Sequence, residues 1–255
     1  GGSASEAQEH PGDGSDGCPF DCGICPGHRQ DTCTVIMELT KACDLKCPVC
    51  FAASETSARG GPHRKEIEGM LQSLLDRGGP YPIQLSGGEP TLRDDLPQIV
   101  ATARKMGFDH VQVNTNGIRL ARDADYAAAL KDAGVTVFFL QFDGVSDDVY
   151  LKLRGAPIFD AKLNAVARCA ELQIGVILVP TLARDVNDRQ VGGIIRFAKQ
   201  WIPAVKGVHF QPMAYIGRCP QRPRNQDRIL IPEILHRIEE QTEAELRAEN
   251  FIPSG

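Results

Sequence analysis

Two kinds of apolar pattern alternate along this chain. Short runs of apolar and β-branched residues, such as residues 34–39, predict buried strands, whereas apolar side chains at helical spacing, as in residues 63–77, predict amphipathic helices. The predicted strands cover residues 34–39, 83–85, 110–117, 135–144, 174–181 and 205–212. The predicted helices cover residues 63–77, 94–106, 123–133, 147–153, 160–172, 186–201 and 232–249.

The predicted elements form six strand–helix units. Strands of about six residues separated by longer helices predict βαβ crossovers and a parallel sheet. A complete (β/α)8 barrel needs eight units, so six units predict an α/β fold with a partial (β/α)6 TIM-type barrel. Barrels of this type have their sites at the carboxyl ends of the strands. At the carboxyl ends of its first three predicted strands, this chain has a cysteine-rich loop, the segment Gly-Gly-Glu-Pro and the segment Asn-Thr-Asn-Gly.

The first of these carboxyl ends carries three cysteines within eight residues. Cys43, Cys47 and Cys50 have the spacing C-x3-C-x2-C, and Phe51 follows at once. Cysteine thiolates hold iron–sulfur clusters, and three protein thiolates leave one iron of a four-iron cluster open to another ligand. A structural zinc site is the alternative, but such a site has four ligands, usually in two separated pairs. The spacing therefore favours an iron–sulfur cluster.

A second group of cysteines precedes the first strand. Cys18, Cys22, Cys25 and Cys33 lie among glycine and proline residues that let a short loop wrap a metal. Four thiolates can hold a complete four-iron cluster or one zinc ion, and we favour iron–sulfur because a redox cluster follows in the sequence. Since a strand separates Cys33 from the triplet, we expect this second cluster toward the amino-terminal end of the barrel, as an electron relay or a structural clip. The alternative is that residues 18–32 fold back over the top of the barrel and help to line the active site.

Composition and charge exclude several other classes of protein. The formal net charge of the 255 residues is −5, so the chain has no basic field for nucleic acid. No apolar run reaches the ~18 residues of a transmembrane helix. Seven of the nine cysteines lie between residues 18 and 50, which favours metal binding in a reducing compartment over disulfides. We therefore expect a cytoplasmic protein.

The triplet from Cys43 to Cys50, together with Gly87-Gly88-Glu89-Pro90, resembles the radical S-adenosylmethionine (radical SAM) superfamily. The resemblance implies a 4Fe–4S cluster whose open iron binds S-adenosylmethionine (SAM), and a reductant such as ferredoxin or flavodoxin. In that superfamily an electron passes from the reduced cluster to the sulfonium of SAM. A 5′-deoxyadenosyl radical then forms and abstracts hydrogen from an unactivated C–H bond.

The same resemblance implies a set of SAM-binding residues. Gln141 would meet the ribose hydroxyls, Phe51 would lie against the adenine, and the glycine segment would hold the amino group by close backbone approach. Each of these residues could instead have a purely structural role. The alternatives are a turn for the glycine segment, an Asx turn for Asn116 and core packing for Phe51. The implied SAM-binding residues are Phe51, Ser86, Gly87, Gly88, Glu89, Asn114, Asn116 and Gln141.

Other residues near these motifs have ordinary interpretations. Asp143 is interpreted as turn chemistry. Arg154 resembles a position of the superfamily, but surface charge explains it nearly as well. Cys169, on a predicted helix, is expected to be buried, whereas Cys219 is expected to be exposed. The loop after the last strand contains four arginines, namely Arg218, Arg222, Arg224 and Arg228. They could bind an anionic substrate, or they could form a basic loop that is simply exposed to solvent.

Two longer segments indicate one particular family within the superfamily. Residues 17–52, and residues 209–218 (His-Phe-Gln-Pro-Met-Ala-Tyr-Ile-Gly-Arg), resemble the family of the archaeal tetraether lipid synthase and the dihydropterin (hydroxymethylpterin) methylases. Members of that family are usually longer, with a further cysteine-bearing C-terminal region. The resemblance implies lipid C–C coupling or pterin methylation, on a lipid or small-molecule substrate. The alternatives are a peptide-modifying radical SAM maturase and a non-catalytic iron–sulfur electron-transfer protein.

These inferences divide the chain into four parts. We expect a flexible tail in residues 1–17 and a Cys-rich cluster-binding segment in residues 18–33. The radical SAM core would then cover residues 34–230, and a C-terminal helix would cover residues 231–255.

Overall fold

The structure is a computed structural model that describes residues 32–58, 60–221 and 223–252. Residues 33–248 form one compact unit. Cys18, Cys22 and Cys25 lie outside the described residues, as does the expected tail, so what we expect of them stays a prediction. Within the described ranges, no helix is long and apolar enough to cross a membrane.

Six parallel strands form the main sheet. In spatial order they are β1 (Val35–Glu38), β2 (Ile83–Ser86), β3 (Val111–Thr115), β4 (Val137–Gln141), β5 (Gly175–Val179) and β6 (Val205–Val208). The spatial order of the strands follows the chain, as expected when successive right-handed crossovers all lead the same way. The expected α/β fold with a partial (β/α)6 barrel is confirmed.

The helices of the described residues pack on one face of this sheet and on one another. They are α1 (Arg64–Leu75), α2 (Leu96–Lys105), α3 (Ile118–Arg122), α4 (Ala124–Ala133), α5 (Asp147–Arg154), α6 (Phe159–Glu171), α7 (Val191–Gln200) and α8 (Ile231–Gln241). The main core lies between sheet and helices, where alternate strand residues such as Leu85, Val113 and Leu140 pack against helix residues such as Val166. The residues between them point to the opposite, concave face of the sheet.

Two predicted strands are broken in the structure. Residues 174–181 and 205–212 each divide into a strand of the main sheet and a two-residue strand. The short strands, Thr181–Leu182 and Gln211–Pro212, pair with each other. Pro180 has no amide hydrogen, so the first ladder cannot continue through it.

Some helix boundaries also differ from those predicted. The helix predicted for residues 186–201 begins only at Val191, because the fully buried side chain of Asn187 binds the preceding loop. The helix predicted for residues 232–249 ends at Gln241, and two of the next residues have left-handed backbone angles. Helix α3, with five residues, is too short to give a periodic pattern and was not predicted.

Candidate functional site

The cysteine triplet lies in the cluster loop, residues 40–55, which follows β1. Cys47 is buried, Cys43 and Cys50 are half-buried, and all three are free thiols. They pack in one apolar cluster with Leu45 and Tyr150. Burial raises the pKa of the Cys43 thiol to about 12, so a metal bound there would have to displace the proton.

The donor set of the cluster loop is that of a four-iron cluster. No three His, Cys, Asp or Glu side chains in the described part of the chain are arranged to share a single metal ion. In an iron–sulfur cluster each thiolate binds a separate iron, so three thiols of one loop can supply three of the four ligands. The loop therefore has the donors for a cluster with one open iron.

Gly87 and Gly88 pack against the cluster loop itself. Gly88 N donates to Thr40 O at 2.7 Å, and Glu89 N donates to Ala42 O at 2.8 Å. A Cβ on Gly88 would lie 2.1 Å from Ala42 O, and one on Gly87 would lie 2.3 Å from Thr40 O. From the sequence we attributed these glycines to close approach of a ligand. Their close neighbour is the backbone of the cluster loop, so the glycine pair fixes that loop in place.

Glu89 is buried, and both oxygens of its carboxylate are used within the protein. Oε1 accepts hydrogen bonds from Thr91 N at 3.1 Å, Thr91 Oγ1 at 2.6 Å and Thr115 Oγ1 at 2.7 Å. Oε2 accepts from Asn116 N at 2.7 Å. Burial raises the pKa of Glu89, and these hydrogen bonds oppose the rise. Glu89 thus joins the ends of β2 and β3.

The two asparagines at the end of β3 have different neighbours. Asn114 faces the concave side of the sheet, with Nδ2 lying 3.4 Å from Ser86 Oγ. Asn116 lies beyond the end of β3. Its Oδ1 accepts from Ile118 N at 2.9 Å in an Asx turn, and its Nδ2 donates to Asp44 Oδ1 at 2.6 Å. Asn116 therefore links β3 to the cluster loop, whereas Asn114 remains on the sheet surface.

Gln141 ends β4 beside a buried lysine that we did not single out from the sequence. Lys162 Nζ donates to Gln141 Oε1 at 3.0 Å and to Asn116 O, and Gln141 Nε2 donates to Asp143. Burial lowers the pKa of Lys162 to about 8. The lysine lies on the buried face of α6. In the sequence, Lys162 occupies a position at which the helical spacing of apolar residues predicts a buried side chain, and this spacing could have identified it.

Asp143 and Arg154 form a buried ion pair. Arg154 Nε lies 2.7 Å from Asp143 Oδ2, and Nη2 lies 2.7 Å from Oδ1. Arg154 Nη1 also lies 3.7 Å from Cys47 Sγ. The interpretation of Asp143 as turn chemistry is therefore wrong, and for Arg154 the surface-charge alternative is excluded. The bidentate pair holds a positive charge in fixed geometry beside one thiol of the triplet.

Residues 217–218, which we call the strap, hold the other side of the cluster loop. Cys50 N donates to Arg218 O at 2.9 Å, and Arg218 N donates to Cys50 O at 2.8 Å. The Arg218 guanidinium donates to Cys47 O, from Nε at 3.2 Å and from Nη2 at 3.1 Å, and also to Ser54 O. The cluster loop is thus fixed between the glycine pair and the strap.

Three of the four arginines in the loop after the last strand are described, and each has a partner within the protein. Arg218 binds the cluster loop, and Arg224 forms an exposed ion pair within its own loop at 2.8 Å. Arg228 lies over the ring of Tyr215, with 5.5 Å between Cζ and the ring centroid. Arg222 lies outside the described residues. Arg218 therefore holds the cluster loop, a role that neither of the two interpretations from the sequence, anion binding or a solvated basic loop, included.

Arg218→Ala is expected to loosen the cluster loop, because the guanidinium hydrogen bonds to Cys47 O and Ser54 O are lost. Hydrogen bonds to charged groups contribute about 1.5–3 kcal/mol each. We expect a chelator to remove cluster iron at least ~10-fold faster, a factor equivalent to about 1.4 kcal/mol. Arg224→Ala, at a nearby exposed position, is the matched control and should behave as wild type. Equal rates of iron loss in the two variants would contradict this role.

The remaining residues of interest lie at the surface or in the core. Phe51 is 65% exposed, so core packing is excluded and its contact with adenine stays a prediction. Cys33 is exposed and precedes β1, whereas Cys43 follows it. Cys169 is buried, as expected, and Cys219 is half-buried where we expected exposure.

Comparison with known proteins identifies the family. The model of the Radical SAM superfamily matches residues 37–198. This chain belongs to the radical SAM superfamily. Membership implies a 4Fe–4S cluster and SAM, and it confirms the expected class of enzyme.

Two curated relatives of this radical SAM chain are archaeal. It is 42% identical over 240 residues to the 7,8-dihydro-6-hydroxymethylpterin dimethyltransferase of Methanocaldococcus jannaschii, covering 93% of this chain and 47% of the relative. It is 32% identical over 187 residues to the Fe-coproporphyrin III synthase of Methanosarcina barkeri, covering 72% of this chain and 45% of the relative. The chain thus spans about half the length of these relatives.

Solved structures with a similar fold include proteins that contain SAM. Streptococcus suis SuiB bound to S-adenosylmethionine has a TM-score of 0.65 and 15% identity, covering 84% of this chain and 48% of that one. Native anSMEcpe with bound AdoMet has a TM-score of 0.61 and 18% identity, covering 82% of this chain and 59% of that one. At such identities the likeness supports the fold alone.

Proposed function

We propose that this chain is the SAM-cleaving core of an enzyme that methylates a small reduced pterin. The observation that carries the proposal is the 42% identity, over 93% of the chain, to a hydroxymethylpterin dimethyltransferase. The match extends over 240 residues and so spans most of the barrel. The substrate in this proposal is a small molecule, in agreement with the narrower resemblance of the sequence.

The cluster loop has the central role in this proposal. Cys43, Cys47 and Cys50 would hold the cluster, which when reduced supplies the electron that cleaves SAM to methionine and a 5′-deoxyadenosyl radical. The protein keeps the three thiols in one loop, which Gly88 fixes on one side and Arg218 on the other. A fixed loop keeps the reacting centre and the substrate in a constant relative position, which is the main contribution of a protein to cofactor chemistry.

The SAM site in this proposal lies at the carboxyl ends of β2, β3 and β4. Hydrogen-bonding side chains and glycine backbone meet at those ends, next to the cluster loop. Contact with SAM is proposed for Phe51, Ser86, Gly87, Gly88 and Asn114. Glu89, Asn116 and Gln141 take positioning roles instead, because the polar groups of their side chains already bind other parts of the chain.

The second 4Fe–4S cluster remains part of the proposal. Its ligands would be Cys18, Cys22, Cys25 and Cys33. Support comes from Cys33, which is exposed and precedes β1, whereas the triplet follows that strand. A cluster there could accept an electron from a reductant such as ferredoxin or flavodoxin. That reductant and a cytoplasmic location are likewise proposals.

Less supports the alternative functions. A peptide-modifying maturase is favoured by fold likeness alone, since SuiB bound to its precursor peptide SuiA is 16% identical to this chain. Lipid C–C coupling rests on the narrower sequence resemblance. A non-catalytic iron–sulfur electron carrier would have no use for a cluster with one open iron beside polar strand ends.

The test is a turnover experiment under strictly anaerobic conditions. The cluster-loaded chain is incubated with a reductant, SAM that carries a deuterated methyl group, and 7,8-dihydro-6-hydroxymethylpterin. We expect the pterin to gain one or more deuterated methyl groups, each leaving one S-adenosylhomocysteine, and to raise the yield of 5′-deoxyadenosine. Mass spectrometry measures all three products. The proposal fails if the pterin stays unchanged and has no effect on SAM cleavage.

A further inference from the structure

One row of residues across the concave face of the sheet has a polar half and an apolar half. Side chains alternate along a strand, so the residues between core positions face away from the helices. The backbone register aligns Glu38 with Ser86, and it aligns Asn114 with Phe139 and then with Ile177. In this row, β1 to β3 contribute a carboxylate and neutral polar groups, which we call the polar half. Strands β4 and β5 contribute Phe139 and Ile177, which we call the apolar half.

Two glutamines extend the polar half toward the amino-terminal ends of the strands. Gln84 lies two residues before Ser86, and Gln112 lies two residues before Asn114. Gln84 and Gln112 are direct partners in the register of β2 and β3. Gln112 is 3% exposed, and its Nε2 donates to Asn114 Oδ1 at 2.7 Å. Gln84 Oε1 lies 3.5 Å from Asn114 Nδ2. Each glutamine thus has one end of its amide engaged, and the other end makes no hydrogen bond with the described residues.

Glu38 is the charged member of this polar half. It is the last residue of β1 and is exposed, and its carboxylate has no hydrogen-bond or ion-pair partner among the described residues. A carboxylate supplies two acceptor oxygens, and each amide supplies both donors and an acceptor. Together these groups match the edge of a polar ring that presents donors and acceptors side by side.

The apolar half offers a surface for the face of such a ring. The rings of Phe139 and His209 have centroids 6.0 Å apart at an interplanar angle of 58°. Gly207 lies in register with Ile177, and a Cβ built on it would meet no atom within 4 Å. Open space therefore lies beside the aromatic side chains. A flat heterocycle gains from contact with aromatic surfaces.

We propose that Glu38 binds the pyrimidinone edge of the pterin, accepting hydrogen bonds from the 2-amino group and the adjacent ring N–H. This inference rests on the proposed function. The two donors are adjacent and parallel, as in a guanidinium group, so one carboxylate can accept from both. Gln84 and Gln112 bind the polar atoms next along the ring, and Phe139 contacts its face. A lipid chain would gain nothing from these polar groups.

The test compares the affinities of two ligands for the cluster-loaded chain with SAM present. The ligands are 7,8-dihydro-6-hydroxymethylpterin and its 2-oxo analogue, in which a carbonyl replaces the amino group, and anaerobic calorimetry measures both. We expect wild type to prefer the amino compound. Glu38→Gln should weaken binding of that compound at least ~10-fold, because a site built around a hydrogen bond discriminates strongly against its loss. The preference for the amino compound should disappear.

Glu38→Gln should fold normally, because Glu38 is exposed and binds no other described side chain. Its iron content and SAM affinity should equal those of wild type. Glu68→Gln, on the exposed surface of α1, is the matched control and should leave both ligand affinities unchanged. Equal pterin affinity in Glu38→Gln and wild type would overturn the assignment of Glu38 and leave the proposed function standing. A wild-type chain that neither binds nor methylates the pterin would overturn both.

Discussion

Replacing any one cysteine of the triplet should abolish SAM cleavage. Cys43→Ala, Cys47→Ala and Cys50→Ala each remove the protein ligand of one iron. Mutation of a residue that only hydrogen-bonds to a metal ligand typically lowers metal affinity or activity by roughly 10- to 100-fold. Because these cysteines are the ligands themselves, we expect 5′-deoxyadenosine formation to fall by more than about 100-fold. Iron content and visible absorbance of the anaerobically purified protein would report the loss of the cluster separately from activity.

Cys169→Ala is the matched control for the triplet. Cys169 is also buried, but it belongs to the main core and not to the apolar cluster of the triplet. Its loss should lower stability, because a small cavity forms, and should leave cluster iron unchanged. A triplet variant with full activity would refute the assignment. Equal loss of iron in the Cys169 variant would mean that iron content reports folding and not ligation.

Gly88→Val should displace the cluster loop as well as weaken SAM binding. A Cβ at Gly88 would lie 2.1 Å from Ala42 O, a backbone atom that cannot rotate away as a side chain could. The hydrogen bond from Gly88 N to Thr40 O would be lost as the two segments separate. Overpacking typically costs about 1–3 kcal/mol. We expect a lower melting temperature, less cluster iron and weaker SAM binding in calorimetry.

Gly69→Ala is the control for the glycine substitution. Gly69 lies inside α1, where an added Cβ would meet nothing within 4 Å. Alanine favours a helix by about 0.8–1.0 kcal/mol over glycine, so this variant should be as stable as wild type or more so. Normal cluster iron and an unchanged melting temperature in Gly88→Val would show that the glycine segment does not fix the loop.

The fold could be predicted because its elements carry local signals. Each strand is a short apolar run and most helices have apolar side chains at helical spacing, and six such units allow few parallel arrangements. The cysteine triplet could be predicted for the same reason, since its three ligands lie within eight residues. Boundaries were less predictable where a single proline or buried asparagine interrupts a pattern, as at Pro180 and Asn187.

The supports of the site could not be predicted, because they join distant parts of the chain. Arg218 binds Cys47 O across 171 residues, and no local pattern indicates that contact. Glu89 resembled a ligand-binding residue, yet residues at the end of β3 use its carboxylate. Lys162 and Arg154 also depend on partners in other elements. Sequence motifs thus identified the segments of the site, and tertiary contacts determined what each side chain does.

The most direct test of the central claim is 5′-deoxyadenosine formation by this chain. The anaerobically reconstituted protein is mixed with SAM and dithionite, and the nucleoside is measured by chromatography with mass spectrometry. We predict that 5′-deoxyadenosine forms with wild type and requires Cys43, Cys47 and Cys50. A protein that holds a reduced four-iron cluster and binds SAM, yet forms no 5′-deoxyadenosine, would contradict the assignment of this site.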